Sequence, residues 1–186
     1  MNDSRKNGLI PTHPGRVFRF CPGCGSPGLS LVGGRSLSCA GCGFTYYLNA
    51  AAAVAALIED PDRGLLLTRR ACDPGKGTLD LPGGFVDLAE SAEQTLAREV
   101  QEELNLEVIS SRFLGTFPNT YLYRGITYFT LDLAFECEVK DFNTLRAGDD
   151  AQECLFVRAR DIRLEDIGLD SIRNMVARYV RRSIGG

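Results

Sequence analysis

No stretch of this sequence is long and apolar enough to cross a bilayer. The longest run of small apolar residues, Ala50 to Ile58, falls far short of the roughly 20 residues that a spanning helix needs. The N-terminus, MNDSRKNGLIPTHPGR, lacks the hydrophobic core of a secretory signal. A cytoplasmic protein with no membrane partner is therefore expected, in which the seven cysteines stay reduced unless they bind metal. Positive charge is also short: the net charge is −3, so no global basic field draws in nucleic acid. Lysine is scarce and arginine greatly outnumbers it. That suits phosphate binding, although genomic base composition gives the same bias. Low-complexity segments are missing, and the only internal repeat is a pair of cysteine knuckles. Tryptophan is absent altogether.

What is present describes a globular chain. Hydrophobic residues make up 44 % and aromatics 9 %, too much for disorder. The length fits one ordinary domain plus a small module. Composition divides it into a flexible, Pro- and Gly-rich lead-in over residues 1–19, a Cys- and Gly-dense block over 20–46, and an α/β domain over 47–186. In that domain the run ending IED and the run GLLLTRR read as a strand hairpin around EDPDRG. Ser91 to Leu104 reads as a helix. EVISSRFLGTF and TYFTLDLAFECEV alternate like antiparallel strands, and CLFVRARDI is a last strand. LDSIRNMVARYVRRS is a C-terminal helix with Ile172, Met175, Val176 and Tyr179 on one face.

The cysteine block carries the sharpest local signal. Cys21-Pro-Gly-Cys24-Gly and Cys39-Ala-Gly-Cys42-Gly match one another, a spacing typical of zinc. Each pair chelates from a tight turn, and the following glycine permits a positive φ. Four thiolates would close a tetrahedral site with no place for water, which makes the zinc structural. A redox pair or two disulfides are the alternatives, both disfavoured in a reducing compartment. So small a block has no core of its own, so metal would supply its folding energy. It resembles a zinc ribbon. Cys72, Cys137 and Cys154 stand apart and read as small hydrophobes.

The second signal is LPGGFVDLAESAEQTLAREVQEELNLEV. Ser91-x-x-Gln94 is a capping box, which starts the helix. At about 100° per residue, Leu96, Ala97, Val100 and Leu104 share a stripe facing the sheet. Glu99, Glu102 and Glu103 cluster beside it. Converging carboxylates repel, and burial raises the cost. Mg²⁺ or Mn²⁺ would reverse both effects and bridge to phosphate. Read alone, E-x-x-E-E is also what a solvated acidic face looks like.

The whole string resembles the Nudix box. Gly84 and Glu90 open it; Arg98, Glu99, Val100, Glu102 and Glu103 follow at the right spacings, and Leu106 closes it. Asn105 stands in place of the final glycine, at a helix end where Asn is the next-best residue in αL geometry. The resemblance implies an α/β/α sandwich with a mixed sheet, an α+β fold preceded here by the ribbon. It implies hydrolysis of the pyrophosphate bond in a nucleoside diphosphate linked to another group. Glu99, Glu102 and Glu103 would hold Mg²⁺ or Mn²⁺, joined by the Gly84 carbonyl. Glu90 would support a metal or its water, and Arg98 would orient a glutamate. Glu103 or Glu153 would be the general base, with Glu153 favoured because the family often places an acid just before the last core strand. Candidate substrate contacts are Arg69, Arg70, Phe85, Phe117, Tyr121 and Tyr123. Tyr128 shares the aromatic stretch of the last three.

A ribbon ahead of a Nudix domain resembles the NADH pyrophosphatase group. That group's Ser-Gln-Pro-Trp array is replaced by FPNTYLYRG, so NADH is not assigned; ADP-ribose and dinucleotides such as NADH lead the expectations. The competing reading is a regulatory module that binds a ligand or nucleic acid. Such modules usually lose their box acids, and these are intact. Arg16, Arg19 and Arg35 lie in or near the ribbon with few aromatics for stacking on single strands, so nucleic acid is not expected as a partner. The ribbon is expected to pack on the catalytic domain or to build a homodimer.

Overall fold

The computed structural model describes residues 9–148 and 151–185. The chain divides into two compact units: Met1–Ala50 with Thr120–Phe129, and Ala51–Asn119 with Thr130–Gly186.

In the first unit, residues 1–8 of the expected lead-in lie outside the described residues, whereas residues 9–19 hold a helical turn, α1 (Pro14–Val17). Pro14 sits where the missing N–H costs nothing, and the His13 Nδ1 accepts from Gly15 N at 2.9 Å. Three short strands follow, β1 (Leu29–Val32), β2 (Ser36–Cys39) and β3 (Thr45–Tyr47), antiparallel in the order β1-β2-β3. Gly33 and Gly34, at φ 61° and 75°, turn the first hairpin with the paired positive φ that favours glycine. Cys21, Leu29, Leu37 and Cys39 form a small core with Leu31, Phe44 and Leu48 against it. Thr120–Phe129 joins this unit through Thr127, whose N–H donates to the Thr12 carbonyl at 2.8 Å.

The second unit is built on β4 (Ala51–Asp60), β5 (Gly64–Arg70), β6 (Leu79–Asp80), β7 (Val108–Tyr123), β8 (Ile126–Val139) and β9 (Ala151–Val157), with α2 (Ala92–Leu104) and α3 (Asp170–Ile184), the end of β7 from Thr120 and the start of β8 to Phe129 belonging to the first unit. The order is β6-β5-β4-β8-β7, with β9 also paired to β5. The sheet is mixed, as expected: β4 runs parallel to β8, while β5 is antiparallel to β4, β6 and β9.

Strand alternation sends side chains to two cores. Val54, Ala56, Ile58, Leu66, Phe135 and Cys137 meet Leu96, Val100 and Leu104 of α2. Ala55, Leu57, Leu65, Leu67 and Ala134 meet Ile172, Met175, Val176 and Tyr179 of α3, the face the sequence assigns to that helix. A helix on each face of the sheet makes the expected α+β sandwich. One expectation fails: Ala97 is exposed, because the turn of about 100° from Leu96 carries it off the stripe. Thr95 is buried instead.

Among the described residues, no helix is long and apolar enough to cross a membrane.

Candidate active site

The first turn of α2 sets up the site. Ser91 Oγ accepts from Gln94 N at 3.3 Å, and Gln94 Oε1 accepts from Ser91 N at 2.8 Å, which completes the capping box. Thr95 Oγ1, buried one turn on, donates to Glu90 Oε2 at 2.7 Å. The sequence reading missed this threonine, whose only signal is its place four residues after the cap.

Arg98 stands at the centre. Its Nε and Nη2 donate to Glu90 Oε1 and Oε2, each at 3.0 Å, a fork that fixes the plane of the guanidinium. Its Nη1 then donates to Glu99 Oε1 at 2.8 Å and to Glu102 Oε2 at 3.2 Å. Nη2 also reaches the Phe85 carbonyl at 3.4 Å, and Asp87 lies 3.7 Å away. The expectation that Arg98 orients a glutamate understates its contacts, since it touches three from the box.

The acids differ in state. Hydrogen bonds from Arg98 and then Thr95 hold Glu90 down to about 2, so it is a standing counter-charge. Glu99 is pushed above the usual carboxylate range by burial, against the pull of Arg98. Its side chain is 15 % exposed and that of Glu102 61 %. Glu103 turns elsewhere, its Oε2 accepting from Gly83 N at 3.0 Å. The carboxylates therefore share one helix face without meeting at one point.

The two glycines before α2 are required by close approach. A Cβ on Gly83 (φ 149°) would lie 2.1 Å from the Val54 carbonyl oxygen, and one on Gly84 2.3 Å from Glu99 Oε1. The Gly84 carbonyl accepts from Val54 N at 2.9 Å, which ties the backbone to β4 beside the glutamates.

Asn105 ends the helix in αL geometry, φ 55° and ψ 38°, as its placement predicts. Its side chain adds what glycine would lack. Asn105 Nδ2 donates to the Thr144 carbonyl at 3.0 Å, and Thr144 Oγ1 donates back to the Asn105 carbonyl at 2.7 Å. Arg146 N and Gly148 N cap the carbonyls of Leu104 and Glu103 at 3.1 and 2.7 Å. The loop before β9 is thus docked on the helix end, a link between distant segments with no local signal.

Four of the expected residues, Glu153, Arg69, Arg70 and Phe117, are engaged within the second unit. Cys154 and Phe156 pack in the α2 core, and Leu155 and Val157 in the α3 core. Alternation therefore sends Glu153 to the face away from the glutamate helix. There it accepts from Arg69 Nε at 2.6 Å, directly across the strand pair, which removes the reason for preferring it as base. Arg69 Nη1 donates to the Gly77 carbonyl at 2.8 Å, so Arg69 is engaged as well. Arg70 forms an ion pair with Asp80, both largely buried, and donates through Nε to the Pro74 carbonyl; it is structural. Phe117 packs against the α3 core. Tyr121 and Tyr123 belong to the first unit, their rings 6.5 Å apart, as does the exposed Tyr128. Phe85 remains by the box, partly exposed.

The four knuckle cysteines cluster within the first unit, with all sulfurs within 4.8 Å of one another. Cys21 and Cys42 Sγ are 3.6 Å apart, Cys24 and Cys39 Sγ 3.8 Å. Tetrahedral zinc with Zn–S bonds near 2.3 Å places its sulfurs about 3.8 Å apart. Gly25 and Gly43 take the expected positive φ, 72° and 76°. The cluster is compatible with structural zinc.

Residues 49–179 match the NUDIX domain family. The chain belongs to that family. A NUDIX hydrolase from Nitrosomonas europaea superposes with a TM-score of 0.66 at 24 % identity, covering 91 % of this chain and 94 % of that one, a likeness of fold. An ADP-ribose pyrophosphatase of Methanocaldococcus jannaschii is 35 % identical over 61 % of this chain and 64 % of its own length. The NAD-capped RNA hydrolase NudC of Pseudomonas entomophila is 26 % identical over 91 % of this chain and 59 % of its own length. The mouse mitochondrial NAD(P)H pyrophosphatase NUDT13 is 36 % identical over 61 % of this chain and 32 % of its own length. The chain thus spans less than two thirds of each of these curated relatives.

NUDIX enzymes generally use divalent metals, and the donor set here fits one. The box offers only carboxylates, the choice of a hard cation. One of them, Glu99, is mostly buried against the glycine backbone with its charge disfavoured, and a cation there would reverse that penalty.

Proposed function

We propose that the protein hydrolyses the pyrophosphate bond of a nucleoside diphosphate linked to another group, with Mg²⁺ or Mn²⁺, and that ADP-ribose or a dinucleotide such as NADH is its substrate. The observation that carries this reading is the division of labour around Arg98. One arginine is committed to Glu90, while buried Glu99 and exposed Glu102 share its remaining donor. That leaves a net acidic cluster on one face of α2, suited to a divalent cation. The relatives named for ADP-ribose and NAD(P)H pyrophosphatase activity support the substrate class.

In this reading Glu99, Glu102 and Glu103, with the Gly84 carbonyl beside them, would hold the cation, the carboxylates drawing together from the separate partners they have without it. Such a cation would supply charge neutralisation for the diphosphate and a lowered pKa for the attacking water. Arg98, pinned by Glu90, keeps Glu99 and Glu102 in position. Glu103, set by Gly83 N–H, takes the proton from water as oxygen bonds to one phosphorus, and the bridging P–O bond breaks. No covalent enzyme intermediate is needed. The zinc is structural and stays outside the chemistry, and the protein works in the cytoplasm.

Incubation with Mg²⁺ and ADP-ribose, NADH, FAD or diadenosine polyphosphates, with products resolved, tests it. Turnover of at least one is expected. No turnover of any, with folding and metal loading verified, overturns the reading. Glu102→Gln touches an exposed side chain, so it should keep its fold and lose more than the roughly 10–100-fold that removal of an outer-shell partner costs.

A further inference from the structure

The first unit differs in charge from the rest of the chain. Between Asp3 and Glu59 the sequence contains no acidic residue, and neither does Thr120–Phe129. Arg16, Arg19, Arg35 and Arg124 lie within these stretches. The chain as a whole carries −3, so its acids are concentrated in the second unit. The arginines keep the first unit basic even against the excess negative charge of a tetrathiolate zinc site.

The same unit exposes aromatic rings. Phe20 is 67 % exposed, Tyr46 53 % and Phe18 39 %. Together with Phe44, Leu37 and Arg19 they line a groove of about 450 Å³. The folded ribbon therefore assembles an aromatic surface that its sequence did not reveal, because Phe18 and Phe20 precede the cysteines while Phe44 and Tyr46 follow them. Flat rings interleaved with arginine, with no acid nearby in the chain, are what a single strand of nucleic acid needs: bases stack on the rings and phosphates meet the guanidinium groups. An apolar peptide would use the groove but gives no reason for the missing acids.

We propose that the ribbon unit is a docking surface for single-stranded nucleic acid, with bases stacked on Phe18, Phe20 and Tyr46 and phosphates paired with Arg19. This revises the expectation that nucleic acid is not a partner, and it stands independently of the hydrolytic reading.

The test uses the zinc-loaded full chain, without added divalent cations, and a labelled mixed-sequence single-stranded RNA of about a dozen nucleotides, a length within the site sizes of such surfaces. Fluorescence anisotropy should show saturable binding that weakens as salt rises. Phe20→Ala and Tyr46→Ala should each weaken it by about 5- to 150-fold, the span of one base stack. Arg19→Gln should lower the magnitude of the log–log salt slope by about 0.7. Zinc content reports that each variant has kept its fold, and turnover of ADP-ribose or NADH, read in parallel, should not move. Four results would overturn the proposal: no binding at low salt, equal affinity for duplex DNA of the same length, binding unmoved by both aromatic substitutions, or a dimer that buries Phe20 and Tyr46.

Discussion

Arg98 and Glu90 are joined by two hydrogen bonds, Nε to Oε1 and Nη2 to Oε2, each 3.0 Å long. Two other box glutamates hang from the same guanidinium through Nη1. Glu90 thus acts on the site through Arg98, eight residues along the chain. Glu90→Gln keeps the shape but gives up the charge that anchors the fork. The expected result is a 10–100-fold loss of metal affinity or turnover, the usual cost of an outer-shell partner, with Tm little changed. Titrating Mg²⁺ against activity measures it. An unchanged Mg²⁺ dependence would show that Arg98 holds its place without Glu90. Thr95→Val removes only one neutral donor to Glu90 and should cost less.

Asn105 allows the cap and the loop to be separated. Asn105→Gly keeps the αL backbone at no steric cost and restores the residue usual in the box, but it loses the bond from Nδ2 to Thr144. About 0.5–1.5 kcal/mol of stability should go with that bond. Asn105→Ala loses the same bond and adds the strain of a Cβ at φ 55°, a further cost of about 1 kcal/mol. Urea denaturation orders them: wild type, then Gly, then Ala. If the Gly variant matches or exceeds wild type, the Asn105 side-chain bond to the loop contributes nothing to stability, the loop being held by Thr144 Oγ1 and the Arg146 and Gly148 N–H groups alone.

These two cases mark what was legible from sequence. The capping box, the hairpin of β4 and β5, the buried face of α3 and the cysteine cluster all follow from local spacing, because helix and strand periods and knuckle turns act over a few residues. The fates of Arg69, Arg70 and Glu153 do not. Whether an arginine at a strand end faces substrate or Asp80 depends on which strands become neighbours, and β5 pairs with β9 across more than eighty positions, Arg69 meeting Glu153. Glu153 looked like a base because of its place in the chain, yet strand alternation decides its face. The place of Asn105 at a helix end marks it as a cap, while its grip on Thr144, 39 residues away, has no signal nearby.

Tyr179 gives a pH test in the α3 core. Its hydroxyl donates to Glu59 Oε1 at 2.7 Å. Burial first, and then the Glu59 carboxylate, push it up to about 12. Because the folded value is raised above the ordinary 10, its contribution to stability is full below pH 10. It is lost as pH rises toward 12, where the unfolded chain ionises first. Stability should therefore fall across pH 10–12 in wild type, and Tyr179→Phe should flatten that fall. The variant should also lose about 1 kcal/mol at neutral pH for the missing hydrogen bond. Denaturation at neutral pH and across that window reads both effects, and parallel curves for the two proteins would refute the assignment.

The cysteine cluster predicts a division between stability and chemistry. The ribbon core holds few apolar side chains beyond Cys21, Leu29, Leu37 and Cys39, too few to stabilise a fold alone. One zinc per chain should be found by elemental analysis. Stripping it with a strong chelator should unfold the first unit and make Cys21, Cys24, Cys39 and Cys42 reactive to a thiol reagent. Zinc release should grow easier as pH falls, because protons compete for the thiolates. Hydrolysis should persist in the stripped protein once Mg²⁺ is supplied, since every box residue lies in the second unit. Activity that vanishes with zinc and returns with it, while the second unit stays folded by circular dichroism, would give the ribbon a direct part in catalysis.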